Sequence, residues 1–103
     1  MTLRDFNFIL DKIFQDLQNL MLEKNEQYAS EDDIFKNFRK ASSLLNISKE
    51  KYLWILKTKH ELALYEMIQK NDFNLEEVKS RVYDCILYLI IFYCMVLNNY
   101  SDE

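Results

Sequence analysis

Residues 74–97, NLEEVKSRVYDCILYLIIFYCMVL, decide the fold class. Asn74 followed three residues later by Glu77 is a capping-box pattern, the usual opening of a helix. Val78, Val82, Cys85, Leu89, Phe92 and Val96 then recur at steps of four and three, a heptad-like apolar seam. After Asp84 the segment is apolar on every side, and a helix of that kind is normally enclosed all round. The pattern predicts a helix over 75–98 held in a core or a subunit interface. Ile90, Ile91, Tyr93 and Leu97 lie off the seam and are the residues expected to meet a second copy, making a homo-oligomer through the last helix. A central helix in a compact monomer is the plainer alternative. The continuous apolar run, Cys85 to Leu97, is shorter than the roughly 18–20 residues that span a bilayer, so no membrane partner is expected.

Upstream, three more helices are expected. Leu3, Phe6, Leu10, Ile13, Leu17 and Leu20 give one apolar seam over 3–26, with Thr2 as the cap. Ile34, Phe35, Phe38, Ala41, Leu44 and Leu45 mark a shorter helix over 33–45, broken at Asn46-Ile47. Ser48 caps a third over 48–70, whose seam is Leu53, Leu56, His60, Ala63 and Met67, closed by Asn71 to Phe73. The chain has no glycine and no proline. Tight hairpins favour Gly or Asn at positive φ, and multi-strand folds rarely manage with neither glycine nor proline, so long helices with short polar connections are expected. The expectation is all-α: a four-helix bundle-like single domain over 1–103, ending in a frayed polar tail.

The net charge of −4 argues against a nucleic-acid polymer as partner, since backbone binding needs a basic face. Cys85 and Cys94, nine apart, point to opposite sides of one helix and cannot pair within it. Free thiols suit a reducing cytoplasm. Met1 to Asp11 has acidic residues and no apolar h-region, so no secretory signal is expected there. No glycine means no phosphate-cradling P-loop or dinucleotide turn.

Several polar residues stand where apolar ones would be expected: His60 beside Lys59, Asp84 with Tyr88 one turn on, Asn37 between Phe35 and Phe38, and Lys24, Asn25 and Tyr28 at the end of the first helix. A buried carboxylate needs a partner, and Lys59, His60 or Arg81 could supply one for Asp84. Taken singly, Asp84 in a buried ion pair and His60 as a satisfied core histidine are ordinary structural features. Together they form a pattern.

The stretch Lys24-Asn25-Glu26-Gln27-Tyr28-Ala29, followed by Asp33, Asn37-Phe38 and Ala41, resembles a KNxxYA…D…NF…A signature. It is similar to that of small phage and prophage proteins of the MazG-like, all-α NTP-pyrophosphohydrolase type. Lys59-His60 and Asp84-x-x-x-Tyr88-Leu89 resemble that family's KH and DxxxYL elements. The resemblance covers about Leu20 to Phe92 and implies an oligomeric helical nucleotide-binding protein in the cytoplasm of a bacterial host cell. Its nucleotide-binding residues would be Lys24, Asn25, Tyr28, Asn37, Phe38, Lys59, His60, Arg81, Asp84 and Tyr88. Catalytic members hold Mg²⁺ on clustered carboxylates and cleave a triphosphate to monophosphate and pyrophosphate.

The sequence departs from that catalytic pattern. The family's metal motif, ExxE on one helix and ExxD on the next, is incomplete: Leu64 stands three after Glu61, and Arg81 three before Asp84. If Mg²⁺ binds, Asp84, Glu61 and Glu66 are the expected ligands, with Asp84 and Glu61 catalytic; Glu77 is a more distant candidate. Two nucleotide readings follow, hydrolysis by a Mg-dependent pyrophosphohydrolase, or a non-catalytic sponge for a nucleotide or cyclic nucleotide signal that counters host defence. Tyr28, Phe38, Trp54 and Tyr88 are the candidate base-stacking residues. A helical protein–protein interaction module, docking through the last helix, is the third reading.

Overall fold

The computed structural model describes the backbone of residues 1–28 and 34–101 and the side chains of 1–23 and 34–100. It contains four helices: α1 (Leu3–Tyr28), α2 (Lys36–Leu45), α3 (Lys49–Lys70) and α4 (Leu75–Ser101). No strand occurs among the described residues. The all-α expectation therefore holds, and the helix ends fall within three residues of those read from the sequence. The expected acidic connection through Asp33 lies outside the described residues.

The helix ends follow from a handful of polar side chains. Thr2 Oγ1 accepts from the Asp5 N–H at 3.1 Å, and the Asp5 carboxylate accepts from the Thr2 N–H at 3.1 Å, a reciprocal cap. Ser48 Oγ accepts from the Lys51 N–H at 3.1 Å, and Asn74 Oδ1 from the Glu77 N–H at 3.0 Å. α2 and α3 both close on an asparagine in the left-handed region, Asn46 at φ 56° and Asn71 at φ 50°. Around each, the next two N–H groups turn back. Ile47 donates to Ser42 and Asn46 to Ser43, then Asp72 to Met67 and Asn71 to Ile68. This is the Schellman closure, with asparagine supplying the positive φ in a chain that has no glycine.

The chain divides into two compact units, Met1–Ile34 and Phe35–Glu103. The first is α1, whose Leu3 and Phe6 are exposed. In the second, α2 packs on α3 and α3 on α4. Phe35, Leu53, Met67, Leu87, Ile91 and Met95 form its buried apolar set, Leu53 and Met95 completely so.

The inward face of α4 is not the seam read from the sequence. Leu87, Ile91 and Met95 are buried, whereas Leu89 is 48% exposed. The cause is the uniform apolarity of the run after Asp84. With no polar side to set the phase, three or four seams fit the same residues, and contact with α3 selects among them. Ile91, expected on the outer surface, faces inward; Ile90, Tyr93 and Leu97 remain exposed. The helix is also longer than its apolar run: by length and composition alone, Leu75–Tyr100 could cross a bilayer. Core helices, which are mostly buried, pass the same test, whereas 17% of the apolar window of α4 is buried; its first turns carry Glu76, Glu77, Lys79 and Arg81.

Candidate functional site

Where α3 and α4 meet, a polar layer interrupts the apolar contact. The stripe on α3 that carries Leu53 and Met67 inward also carries Lys57 and His60, at steps of four and three. From α4, Arg81, Asp84 and Tyr88 occupy successive turns of one side.

His60 is held from three directions. Arg81 Nη1 lies 3.0 Å from His60 Nδ1, and Asp84 Oδ2 lies 3.7 Å from Nε2. The Tyr88 ring lies 5.8 Å from the imidazole, tilted by 31°. The guanidinium can only donate, so Nδ1 must accept. The single proton of the neutral ring then sits on Nε2, facing the Asp84 carboxylate. Both His60 and Asp84 side chains are more than four-fifths buried. Arg81 also approaches the Glu77 carboxylate at 3.8 Å.

Lys57, which the sequence reading did not single out, is the most enclosed charge in the layer at 4% exposure. Its ammonium contacts the Glu61 carboxylate one turn on and lies 3.8 Å from the centroid of the Trp54 ring. The cation–π contact and the carboxylate together offset the loss of hydration. The signal was available: Lys57 lies on the Leu53–His60 stripe, and Glu61 follows at i+4.

Two neutral groups record the character of this layer. Burial pushes the Cys85 thiol up from its ordinary value; the Glu61 carboxylate adds to this, Lys57 opposes it, Asp84 adds and Arg81 opposes. Burial also raises the Tyr88 phenol, with Asp84 contributing in the same direction.

Beside the layer runs an open groove of about 1090 Å³. Lys59 and Arg81 line it together with Trp54, Thr58 and Phe92. Trp54 and Phe92 meet edge-on, with ring centroids 5.8 Å apart.

The structure thus brings together His60, Arg81, Asp84 and Tyr88 from the residues expected to bind nucleotide, with Lys59 on the adjoining groove. Asn37 is exposed on α2, and Phe38 is half-buried, edge-on to Tyr52 of α3 at 6.3 Å. Lys24, Asn25 and Tyr28 lie on the last turns of α1, and their side chains fall outside the described residues.

The carboxylates do not fit a Mg²⁺ site. Glu61 contacts Lys57, Glu66 pairs with Lys70 at 2.7 Å, and Asp84 faces His60. A hard cation needs several oxygens converging on one point, and among the described residues no group of three potential ligands does so.

Compared with known proteins, the chain matches no protein-family model, no curated protein and no solved structure.

Proposed function

We propose that this chain is a MazG-like nucleotide-binding protein of the phage type that holds its ligand without cutting it. The observation that carries the reading is the Arg81–His60–Asp84 arrangement beside a groove also lined by Lys59. A guanidinium and an ammonium lining one groove suit phosphate oxygens, the guanidinium by paired donors and the ammonium as a point charge. Trp54 and Phe92, at the same groove, offer a stacking surface for a base. Asp84 orients His60 in this reading and takes no part in hydrolysis. The net charge of −4 restricts such binding to a local site and suits a small anion better than a polymer. The setting is the cytoplasm of a bacterial host cell, and the ligand is a nucleotide or cyclic nucleotide.

Metal-dependent pyrophosphohydrolysis is the competing reading. It would require Asp84, Glu61 and Glu66 to leave their present partners and converge, which their contacts with His60, Lys57 and Lys70 oppose.

The deciding experiment incubates the purified chain with nucleoside triphosphates and cyclic dinucleotides, with and without Mg²⁺, then denatures the protein and chromatographs the nucleotides. Ligand retained and released intact, with retention lost in Arg81→Ala, supports binding without hydrolysis. Monophosphate formed only with Mg²⁺ and lost in Asp84→Ala would establish the enzyme instead. If nothing is retained or cut, the nucleotide reading fails.

A further inference from the structure

From Cys85 to Ser101, α4 contains no Asp, Glu, Lys, Arg or His. Its apolar window has a mean hydropathy of 1.7, yet only 17% of that window is buried. Leu87, Ile91 and Met95 form the buried side. Roughly opposite, within an arc of about 100°, stand Leu89, Ile90, Tyr93, Leu97 and Tyr100. All five are exposed, Tyr93 by 66% and Tyr100 by 71%. Isolated exposed apolar side chains need no explanation, but a continuous row on one helix face does.

The two ends of this row differ from its middle. Lys79 falls within the same arc and is exposed, its ammonium 5.5 Å from the centroid of the Tyr83 ring. At the other end Asn99 meets Lys49 at 3.5 Å and Glu50 at 3.4 Å, which brings the start of α3 beside the end of α4. The connection from α2 is short, so the exposed Leu44 and Leu45 end that helix close by. Residues 34–51 carry five cations and one carboxylate in a chain whose net charge is −4. A protein docked on the row would be held in register by charges and hydrogen bonds, and the row offers tyrosine hydroxyls alone. A bilayer needs no register. It takes apolar side chains at the acyl boundary, tyrosines at the headgroup level and lysines beside the phosphates.

We propose that α4 lies along the surface of an anionic phospholipid bilayer, its Ile90, Tyr93, Leu97 and Tyr100 row set into the headgroup boundary and Lys79 at the phosphates. The apolar row supplies the affinity, and the cations of Lys79 and of residues 34–51 select an anionic surface in an otherwise acidic chain. The helix lies on the bilayer and does not cross it, because crossing would strip Leu87, Ile91 and Met95 from their packing and separate Arg81 and Asp84 from His60. Arg81 and Phe92, which line the nucleotide groove, stand on another side of α4, so the two surfaces do not overlap. The proposal is therefore separate from the nucleotide reading.

The test is flotation of the full chain, without nucleotide, on vesicles of phosphatidylcholine alone and of phosphatidylcholine with about one third phosphatidylglycerol. The chain is expected to float with the anionic vesicles and to be released as salt is raised. Lys79→Ala is expected to weaken the association about fivefold, and Leu97→Asp at least about tenfold. Both positions are exposed, and circular dichroism checks that the helices persist; should Leu97→Asp unfold, Lys79→Ala and the lipid dependence decide. A chain that floats with neither vesicle overturns the proposal. So does binding that ignores phosphatidylglycerol, or that both substitutions leave unchanged. Resistance to extraction by alkaline carbonate would mean that α4 spans the bilayer, and a dimer broken by Leu97→Asp that never floats would mean that a second copy covers the row; either result also overturns it.

Discussion

Arg81 of α4 sets the tautomer of His60 of α3: its Nη1 lies 3.0 Å from Nδ1 and leaves that nitrogen only the role of acceptor. The imidazole therefore turns its N–H toward Asp84. The expected outcome is that the neutral ring takes the Nε2–H form, read from nitrogen chemical shifts of His60. Arg81→Ala removes the donor and is expected to let the Nδ1–H form appear. A dominant Nδ1–H tautomer in the wild type would contradict the arrangement.

Tyr88 makes the protein sensitive to alkali. Burial raises its phenol above the ordinary 10.0, and the Asp84 carboxylate adds to the shift. In the unfolded chain the same phenol loses its proton near the ordinary value. Between the two values the unfolded state binds fewer protons than the folded one, so rising pH favours unfolding. The stability linked to Tyr88 is complete below pH 10.0 and is lost as the pH climbs through the folded value. Ultraviolet titration should show a late-ionising tyrosine that disappears in Tyr88→Phe, and that variant should lose less stability above this pH than the wild type.

Cys85 should be a sluggish nucleophile. Burial raises its thiol, and the Glu61 carboxylate disfavours the thiolate further. Since the thiolate is the reactive form, alkylation at neutral pH is expected to run several-fold slower than for an unstructured thiol. Mass-spectrometric footprinting of Cys85 against the denatured chain measures this directly. Equal rates in the two states would show that the layer does not enclose Cys85.

The packing and the caps contribute on different scales. Leu53 has no exposed surface, and Leu53→Ala is expected to cost about 3 kcal/mol in urea unfolding, the transfer and cavity terms together. Asn71→Ala puts a β-carbon residue into the left-handed region without the amide that makes asparagine tolerable there, and should cost about 1 kcal/mol. Asn71→Gly should be neutral or stabilising. A destabilising glycine would mean that the asparagine side chain, and not its backbone, closes α3.

Capping and periodicity made the helices readable in advance. Thr2, Ser48 and Asn74 are polar residues directly before periodic apolar runs, and each caps the helix it precedes. Asn46 and Asn71 could be recognised as stops because no glycine was present to take that role. The phase of α4 was not readable, since Cys85 to Leu97 has apolar residues on all sides and the choice rests on what α3 presents. The candidate site shows the same division. His60 and Asp84 stood out as polar residues in apolar surroundings, and they meet. Lys57 did not stand out, because a lysine on a helix is ordinarily a solvated one; its place on the Leu53–His60 stripe was the available signal, and the structure encloses it with Trp54 and Glu61 beside it.

Trp54 is the only tryptophan in the chain, and an ammonium lies over its ring while the edge of Phe92 meets it from α4. Indole emission depends on both neighbours and on the water that reaches the ring. The protein consequently carries its own optical probe, set between the charged layer and the open groove. A ligand that enters the groove or disturbs Lys57 would therefore change its fluorescence.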